Sequence, residues 1–344
     1  MVLHKQLVKI RLIRQRGLTL IELMITMSVS LFFMLSVYKV FDIHQHGVEL
    51  LVALHDREDN AQLAMKVLED NIRMADHWGG VESPQVTVLA PFLAAYPGDC
   101  GVAWVFNTEQ GIYGLDGESS SAQVTGLPSK CIDNNDYAKE ADFLALRFGD
   151  SQALFYSHEL DNKRFQKHYF LRSQSGKSAV IFPGSKSSQA LTLLPDEGQH
   201  YNMKFQSSLF FLRPCRPKVH VCDPGEKVLS RLDLKGNRYI QEALVEGVEH
   251  MQFEYGVDSN RDGNVDRYDS ADAILDWQSV LSVRLYLLMR SRSKDSSRNE
   301  AGKVYVMNSN NNNLKNSYRV PENQGMFSRK LYVKEIALRN RQVH

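Results

Sequence analysis

The chain has 344 residues, of which 43% are hydrophobic and 24% charged, with a formal net charge of +1. That apolar share excludes an intrinsically disordered chain, and the length allows one large domain or two ordinary ones. With 41 basic against 40 acidic side chains there is no overall field to gather nucleic acid or anionic lipid, and no nucleic-acid partner is inferred.

The balance is uneven along the chain. Residues 1–17 hold Lys5, Lys9, Arg11, Arg14 and Arg16 and no acid; without those five, the 41 basic side chains fall to 36 against 40 acidic ones, a net charge of −4. Leu18 to Tyr38 then reads LTLIELMITMSVSLFFMLSVY, with Glu22 as its one charge. As a helix those 21 residues would be ~32 Å long, enough to cross a bilayer core. Basic residues just before the span keep the amino terminus in the cytoplasm and send the rest of the chain across the membrane. A cleaved secretory signal is one rival, but its apolar core should be ~7–15 residues and end in a small-residue site. The nearest mimic, Ser28-Val29-Ser30, sits inside the apolar run. A plain uncleaved anchor is the other rival. Against it stands Glu22, because a carboxylate within the membrane costs ~2.5–3.5 kcal/mol on insertion scales and calls for a partner.

Arg16-Gly17-Leu18-Thr19-Leu20-Ile21-Glu22-Leu23 resembles the processing and methylation signature of type IV prepilins and pseudopilins. The shared features are a basic leader, Gly at its last position, an apolar run, and Glu at the fifth position after the Gly. The resemblance implies that a prepilin peptidase cuts between Gly17 and Leu18 and methylates the new amino terminus, leaving 327 of the 344 residues. The family usually has Phe where this chain has Leu18, so methylation is less firmly implied than cleavage. It further implies an assembly role for Glu22, paired with the amino terminus of a neighbouring subunit. A freed α-amino group, with a pKa of ~7.7–8.0, is mostly cationic at neutral pH and could make that pair.

Ala61, Ala64, Leu68, Ile72 and Ala75 fall on one stripe at helical spacing, with Arg57, Glu58, Asp59, Gln62, Lys66, Glu69 and Asp70 on the other faces. The pattern predicts an amphipathic helix laid against a globular head. Residues 18–75 as one helix would span ~87 Å, with Gly47 the weak point and His77-Trp78-Gly79-Gly80 the end. The stretch from Asn60 to Ala75 resembles the same region of the PilW family of minor pilins.

After Gly80, short β-rich runs such as Val86–Leu89, Phe143–Phe148 and Leu281–Met289 alternate with Gly, Pro, Asn and Asp clusters, predicting mostly antiparallel strands. Two polar tracts, Ser291–Lys303 and Asn308–Asn316, read as hairpin tips. The end of the chain, Phe327 to Asn340, also resembles the last strand of PilW-type proteins. The expected architecture is α+β: a leader over 1–17; a helix over 18–76, transmembrane to 38 and an amphipathic stalk from 39; and a mostly antiparallel, extracytoplasmic head over 77–344. Helix and head together would make the lollipop of pilins.

Asp258-Ser259-Asn260-Arg261-Asp262-Gly263-Asn264-Val265-Asp266-Arg267-Tyr268-Asp269 is the strongest motif of the head. Oxygen donors fall at positions 1, 3, 5, 9 and 12, Gly263 takes position 6, and Asn264 offers its carbonyl at position 7, as in an EF-hand-like loop. A hard, flexible ion with six to eight oxygens suits this set, so a structural Ca2+ is the expected cofactor. Asp269 stands where a bidentate Glu is usual, which shortens the reach. Met251, Phe253, Tyr255 and Val257 alternate with polar residues, so a strand leads in and the ion would staple a loop between strands. The competing reading is an acidic turn without an ion.

An extracytoplasmic location makes disulfides the default for Cys100, Cys131, Cys215 and Cys222, with three connectivities open. Nearness in sequence favours Cys100 with Cys131 and Cys215 with Cys222. No G-x-S-x-G, phosphate-binding loop, dinucleotide fingerprint or H-E-x-x-H is present, and His44, His46 and His55 sit on the stalk, so no catalytic residue is assigned and no enzyme is expected.

The chain is thus identified as resembling a type IV minor pilin of the PilW family. That implies assembly and priming of a pilus by helix packing, starting as a single-pass protein of the inner membrane with a periplasmic head and ending near the filament tip. The implied partners are other minor and major pilins, prepilin peptidase, the inner-membrane assembly platform and a tip adhesin. A type II secretion pseudopilin is the near alternative. A signal-anchored periplasmic binding protein or enzyme is the distant one.

Overall fold

The computed structural model describes residue 17 and residues 19–91, 100–117, 124–133, 135–160, 162–195, 200–215, 225–295, 297–309 and 316–341. It divides into two units, residues 1–52 and residues 53–344. One helix, α1 (Leu20–Met74), contributes to both.

Thr19 and Glu22 start α1 with a reciprocal pair of contacts. The Glu22 carboxylate accepts the Thr19 backbone N–H and hydroxyl, each at 2.9 Å, and the Thr19 hydroxyl accepts the Glu22 N–H at 3.3 Å. This is a capping box, which satisfies donors that a helix start leaves open. In the first unit the large apolar side chains of α1 stand exposed, Leu20, Phe32, Phe33 and Met34 among them, and the helix passes Gly47 without a break.

In the second unit the predicted stripe is the buried one. Ala61, Ala64, Leu68, Ile72 and Ala75 are fully inside. The alanines among them let the helix backbone approach a sheet closely. The helix ends because Asp76 adopts a left-handed conformation, φ 62°. Its last carbonyls are held from the far end of the chain: the Asn340 amide donates to Ala75 O at 2.9 Å, and Arg341 Nε pairs with Asp76 at 2.7 Å. Lys330 and Lys334 reach Glu58 (2.8 Å) and Glu69 (2.6 Å) on the helix. The Lys330 contact holds the Glu58 carboxyl down at about 2, so its stabilising pair is lost only as pH falls from ~4.3 towards that value.

The strands, in chain order, are β1 (Val86–Val88), β2 (Ile112–Leu115), β3 (Phe143–Phe155), β4 (Tyr169–Gln174), β5 (Ser178–Pro183), β6 (His200–Pro214), β7 (Lys227–Lys235), β8 (Arg238–Glu246), β9 (Val248–Val257), β10 (Arg267–Asp269), β11 (Val280–Lys294), β12 (Val304–Val306), β13 (Ser317–Arg319) and β14 (Phe327–Ala337). Among the described residues they form one sheet of eight, in the order β1-β5-β4-β6-β3-β2 with β7 on β6 and β8 on β7, one of four, β10-β9-β11-β14, and the hairpin β12-β13. The pairings are antiparallel except β1 with β5. The α+β class read from the sequence is therefore the observed one, a long apolar helix and a β-rich head. The tract Ser291–Lys303 differs from its reading as a hairpin tip. It begins inside β11, with Ser291 buried, because that strand continues past the apolar run. Most of Asn308–Asn316 lies outside the described residues.

β11 divides its side chains by period two. Val283, Leu285, Leu287 and Met289 join the helix stripe in the main core with Met251, Phe253 and Tyr255 of β9, while Tyr286 and Leu288 face the other way. A second core lies within the large sheet around Trp78, Phe106, Phe205 and Phe211. Two buried arginines tie loops to it. Arg147 donates to three carbonyls, Val105, Gln110 and Trp104, at 3.2, 2.6 and 2.7 Å, and Arg172 to Leu194 O at 2.6 Å and Asn202 Oδ1 at 2.8 Å.

The two sheets meet at buried carboxylates. Asp142, before β3, accepts the N–H of Gly117 (2.9 Å) and of Phe253 in β9 (2.8 Å), while Asp116 accepts Ala271 N–H at 2.9 Å. Tyr255 crosses the same seam, and its ring would collide with any Cβ at Gly114. Burial lifts the Asp142 carboxyl well above the usual carboxylate range, and the charge of Asp116 adds to the lift.

A raised native pKa in an acid means that the folded state holds the proton more tightly than the unfolded one. Stability from this group is full below the unfolded value of ~3.9 and is lost as pH rises through the native value. We expect the urea midpoint of the wild-type protein, measured against Asp142→Asn at each pH, to converge on that of the variant as pH rises. The variant loses one acceptor for two N–H groups and should be less stable by about 1–3 kcal/mol at acid pH. Parallel pH profiles for the two proteins would contradict the assignment.

Candidate functional site

The amino-terminal site is a sequence of residue types on a helix start rather than a cleft. Gly17 is exposed, and Leu18 lies outside the described residues. Glu22 is exposed on the first turn of α1, engaged by Thr19 of its own chain. Sequence reasoning gave Glu22 a neighbour in another subunit and passed over this local partner, although the T-x-x-E spacing of a capping box was there to read. The helix is long and apolar enough to cross a membrane, by length and composition.

The second site is the loop from Asp258 to Asp269, entered from β9 and left through β10. Asp258 is buried and is the post on which the loop winds. Its Oδ1 accepts the N–H groups of Arg261 (2.6 Å) and Asp262 (3.2 Å), and its Oδ2 that of Gly263 (2.8 Å). Gly263 has φ 85° and lies in the open, so the turn requires glycine for its backbone and not for space. Asn260 and Asp262 continue the winding: Asn260 Oδ1 accepts Asp262 N–H at 2.9 Å, and Asp262 Oδ1 accepts Asn264 N–H at 2.8 Å.

The outer carboxylates are engaged elsewhere. Asp266 accepts the N–H of Ser259 at 2.8 Å and its hydroxyl at 2.5 Å, and those bonds hold its pKa down. Asp269 pairs with Arg267 Nε at 2.6 Å. Among the described residues no three acidic, histidine or cysteine side chains are gathered as metal ligands. Both Asp258 oxygens, Asn260 Oδ1 and Asp262 Oδ1 are thus taken by backbone N–H groups of the loop, and Asp266 and Asp269 by Ser259 and Arg267. Beside the loop is a cavity of about 730 Å3 whose walls include Trp78, Glu82, Asp258, Arg261, Gln278 and Arg341.

Cys100 and Cys131 form a disulfide, closing a separation of 31 residues, worth about 3–4 kcal/mol in the chain-entropy account. Cys215 is also disulfide-bonded. Cys222, and with it the expected Cys215–Cys222 pair, lies outside the described residues. Of the stalk histidines, His46 lies 3.6 Å from Asp42 and His55 3.6 Å from Asp59, both on the helix surface. His250 is buried in the head and accepts its neighbour's N–H at 2.9 Å, with its pKa pushed down to about 3 by burial.

Comparison with known proteins adds what geometry alone does not. Residues 12–38 match the prokaryotic N-terminal methylation motif, and residues 219–340 match the family described as type IV pilus-assembly protein W, PilW. No curated protein matches the chain. Among solved structures, a type IV-like pilin, TTHA1219, from Thermus thermophilus is similar at 10% identity over 83% of this chain and 97% of that one, with a TM-score of 0.35. That score is too low to bear on the fold or the function. The methylation motif at the start and the PilW match over β7 to β14 agree with the apolar helix and the β-rich head, and over residues 219–340 the chain is similar to the PilW family.

Proposed function

We propose that this chain is a prepilin-processed minor pilin that acts by assembly, priming a type IV pilus from the inner membrane with its head in the periplasm and then residing near the filament tip. The observation that carries the reading is the first half of α1. It is an apolar, membrane-length helix with one carboxylate near its start and its large side chains exposed. Such a surface is stable only against lipid or against other helices, and an intramembrane carboxylate adds a demand for a cationic partner. The amino terminus of a neighbouring pilin, freed by a cut between Gly17 and Leu18, meets that demand. Its partners would then be other minor and major pilins, prepilin peptidase, the assembly platform and a tip adhesin. The PilW match favours the pilus over a type II secretion pseudopilin. The fold serves as a structural subunit, and nothing in the sites described requires catalysis.

Processing is tested on membrane-extracted protein from cells with and without prepilin peptidase. The expected mass begins at Leu18 only when the peptidase is present, with about 14 Da more if that residue is methylated. A chain beginning at Met1 in both strains would remove the pilin pathway. Glu22→Ala should still insert in the membrane, since it deletes a charge costing ~2.5–3.5 kcal/mol there, yet be depleted from filaments. Incorporation at the wild-type level would refute the assembly role.

We further propose that the loop holds a structural calcium ion through Asp258, Asn260, Asp262, Asp266, Asp269 and the carbonyl of Asn264. The winding of the loop on Asp258 supports this. Bound calcium would neutralise the loop's acids and fix β9 to β10. In calorimetric and thermal titrations, calcium at a hundred times its Kd should stabilise the protein by about 2.7 kcal/mol. Asp258→Asn should abolish the effect, and no heat and no thermal shift in the wild type would reject the site.

A further inference from the structure

The β12-β13 hairpin covers the face of the four-stranded sheet opposite the helix. Tyr286 and Leu288 of β11 meet Met307, Tyr318 and Val320 there in a cluster of their own. Among the described residues that cluster has five buried members, against thirty in the main core, so the hairpin is joined to the head by a small part of its apolar contact.

Two buried glutamates of β9 pin the hairpin. Glu249 Oε1 accepts the Tyr318 hydroxyl at 2.8 Å. Glu254 accepts the Ser309 N–H, at 2.8 and 3.0 Å from its two oxygens, and the Ser309 hydroxyl at 3.0 Å. Each carboxylate also has a partner that belongs to the sheet. Arg329 of β14 grips Glu249 through Nε at 2.5 Å and Nη2 at 3.0 Å, and Tyr286 of β11 donates to Glu254 at 2.8 Å. Removing the only partner of a buried charge is strongly unfavourable, whereas removing one of two is not. Lifting the hairpin would break both pins and orphan neither charge. The hairpin keeps its own bonds as it moves, Met307 N–H to Asn316 O at 2.9 Å and Val320 N–H to Lys303 O at 2.9 Å.

We propose that the strands of residues 303–309 and 316–320 are a lid, which opens as one piece while the rest of the head stays folded and uncovers an apolar strip of Tyr286, Leu288 and Leu331. The lid is thus a separate cooperative unit of low local stability, carried on the rigid β9-β11-β14 sheet.

Leu287 and Leu288 give a direct test, because they are neighbours, both fully buried, and face opposite sides of β11. No cysteine is free among the described residues, so Leu288→Cys and Leu287→Cys each add one thiol, with the unsubstituted chain as the background. Under native conditions, in membranes, thiol labelling at 288 should be at least about tenfold faster than at 287. Tyr318→Phe, which removes one pin and leaves Arg329 on Glu249, should speed labelling at 288 about tenfold more and leave 287 unchanged. Equal rates at the two positions, or a rate at 288 indifferent to Tyr318→Phe, would overturn the lid. Should a cysteine variant fail to fold, hydrogen exchange of the unsubstituted chain decides. Amides of Met307 and Val320 exchanging ahead of those of Tyr286 to Leu288 would support the lid, and exchange of all of them together would overturn it.

Discussion

Burial of the small-residue stripe of α1 against the four-stranded sheet is the contact on which the head depends. Ala61, Ala64, Leu68 and Ile72 share one core with the inward side chains of β9, β11 and β14 and with Leu144, Leu146 and Phe148 of the large sheet. Fully burying a Leu or Ile side chain contributes about 1.5–3 kcal/mol, and the alanines allow the approach that makes such contacts dense. The polar contacts around the stripe set direction more than strength. Lys330–Glu58 and Lys334–Glu69 are partly exposed and individually weak, while Asn340 and Arg341 fix where the helix stops.

Several of the buried charges in this head have a structural task. Arg147 and Arg172 replace missing backbone partners in loops, where an apolar side chain of equal size would leave carbonyls unsatisfied. Asp116 and Asp142 do the converse for N–H groups at the seam of the two sheets. Glu249 and Glu254 have two sets of partners, one within the sheet and one on the β12-β13 hairpin.

Some of this was legible in the residues themselves. The basic leader, Gly17, the apolar run and Glu22 are local signals, and the helix-spaced stripe from Ala61 to Ala75 is periodic, so both survive without knowledge of the partner surface. The strands at Val86, Phe143 and Leu281 were visible as β-rich runs between turn clusters and that at Met251 from alternation, while the strand at Phe327 was reached through the family resemblance. The loop at Asp258 was found by spacing. Its present hydrogen bonds, Asp266 to Ser259 and Asp269 to Arg267, were not, because spacing gives candidate donors and cannot say which of them turn inward. The extent of β11 was under-read for a related reason: its final turnless stretch is polar, and only the pairing with β14 keeps it extended.

The sequence by itself determined the amino-terminal helix, the single charge Glu22 in its apolar run and the β character of the head, since each rests on composition or on contacts between residues near one another along the chain. Tertiary structure alone decided that β6 divides its length between β4 and β7, that Asn340 caps a helix ending at Met74, that Gly114 must be small because Tyr255 lies against it, and that two glutamates hold a hairpin from the far side of a sheet. Those pairings join residues tens to hundreds of positions apart, and their energies depend on which surfaces the folded chain brings into contact, a quantity that no local pattern encodes.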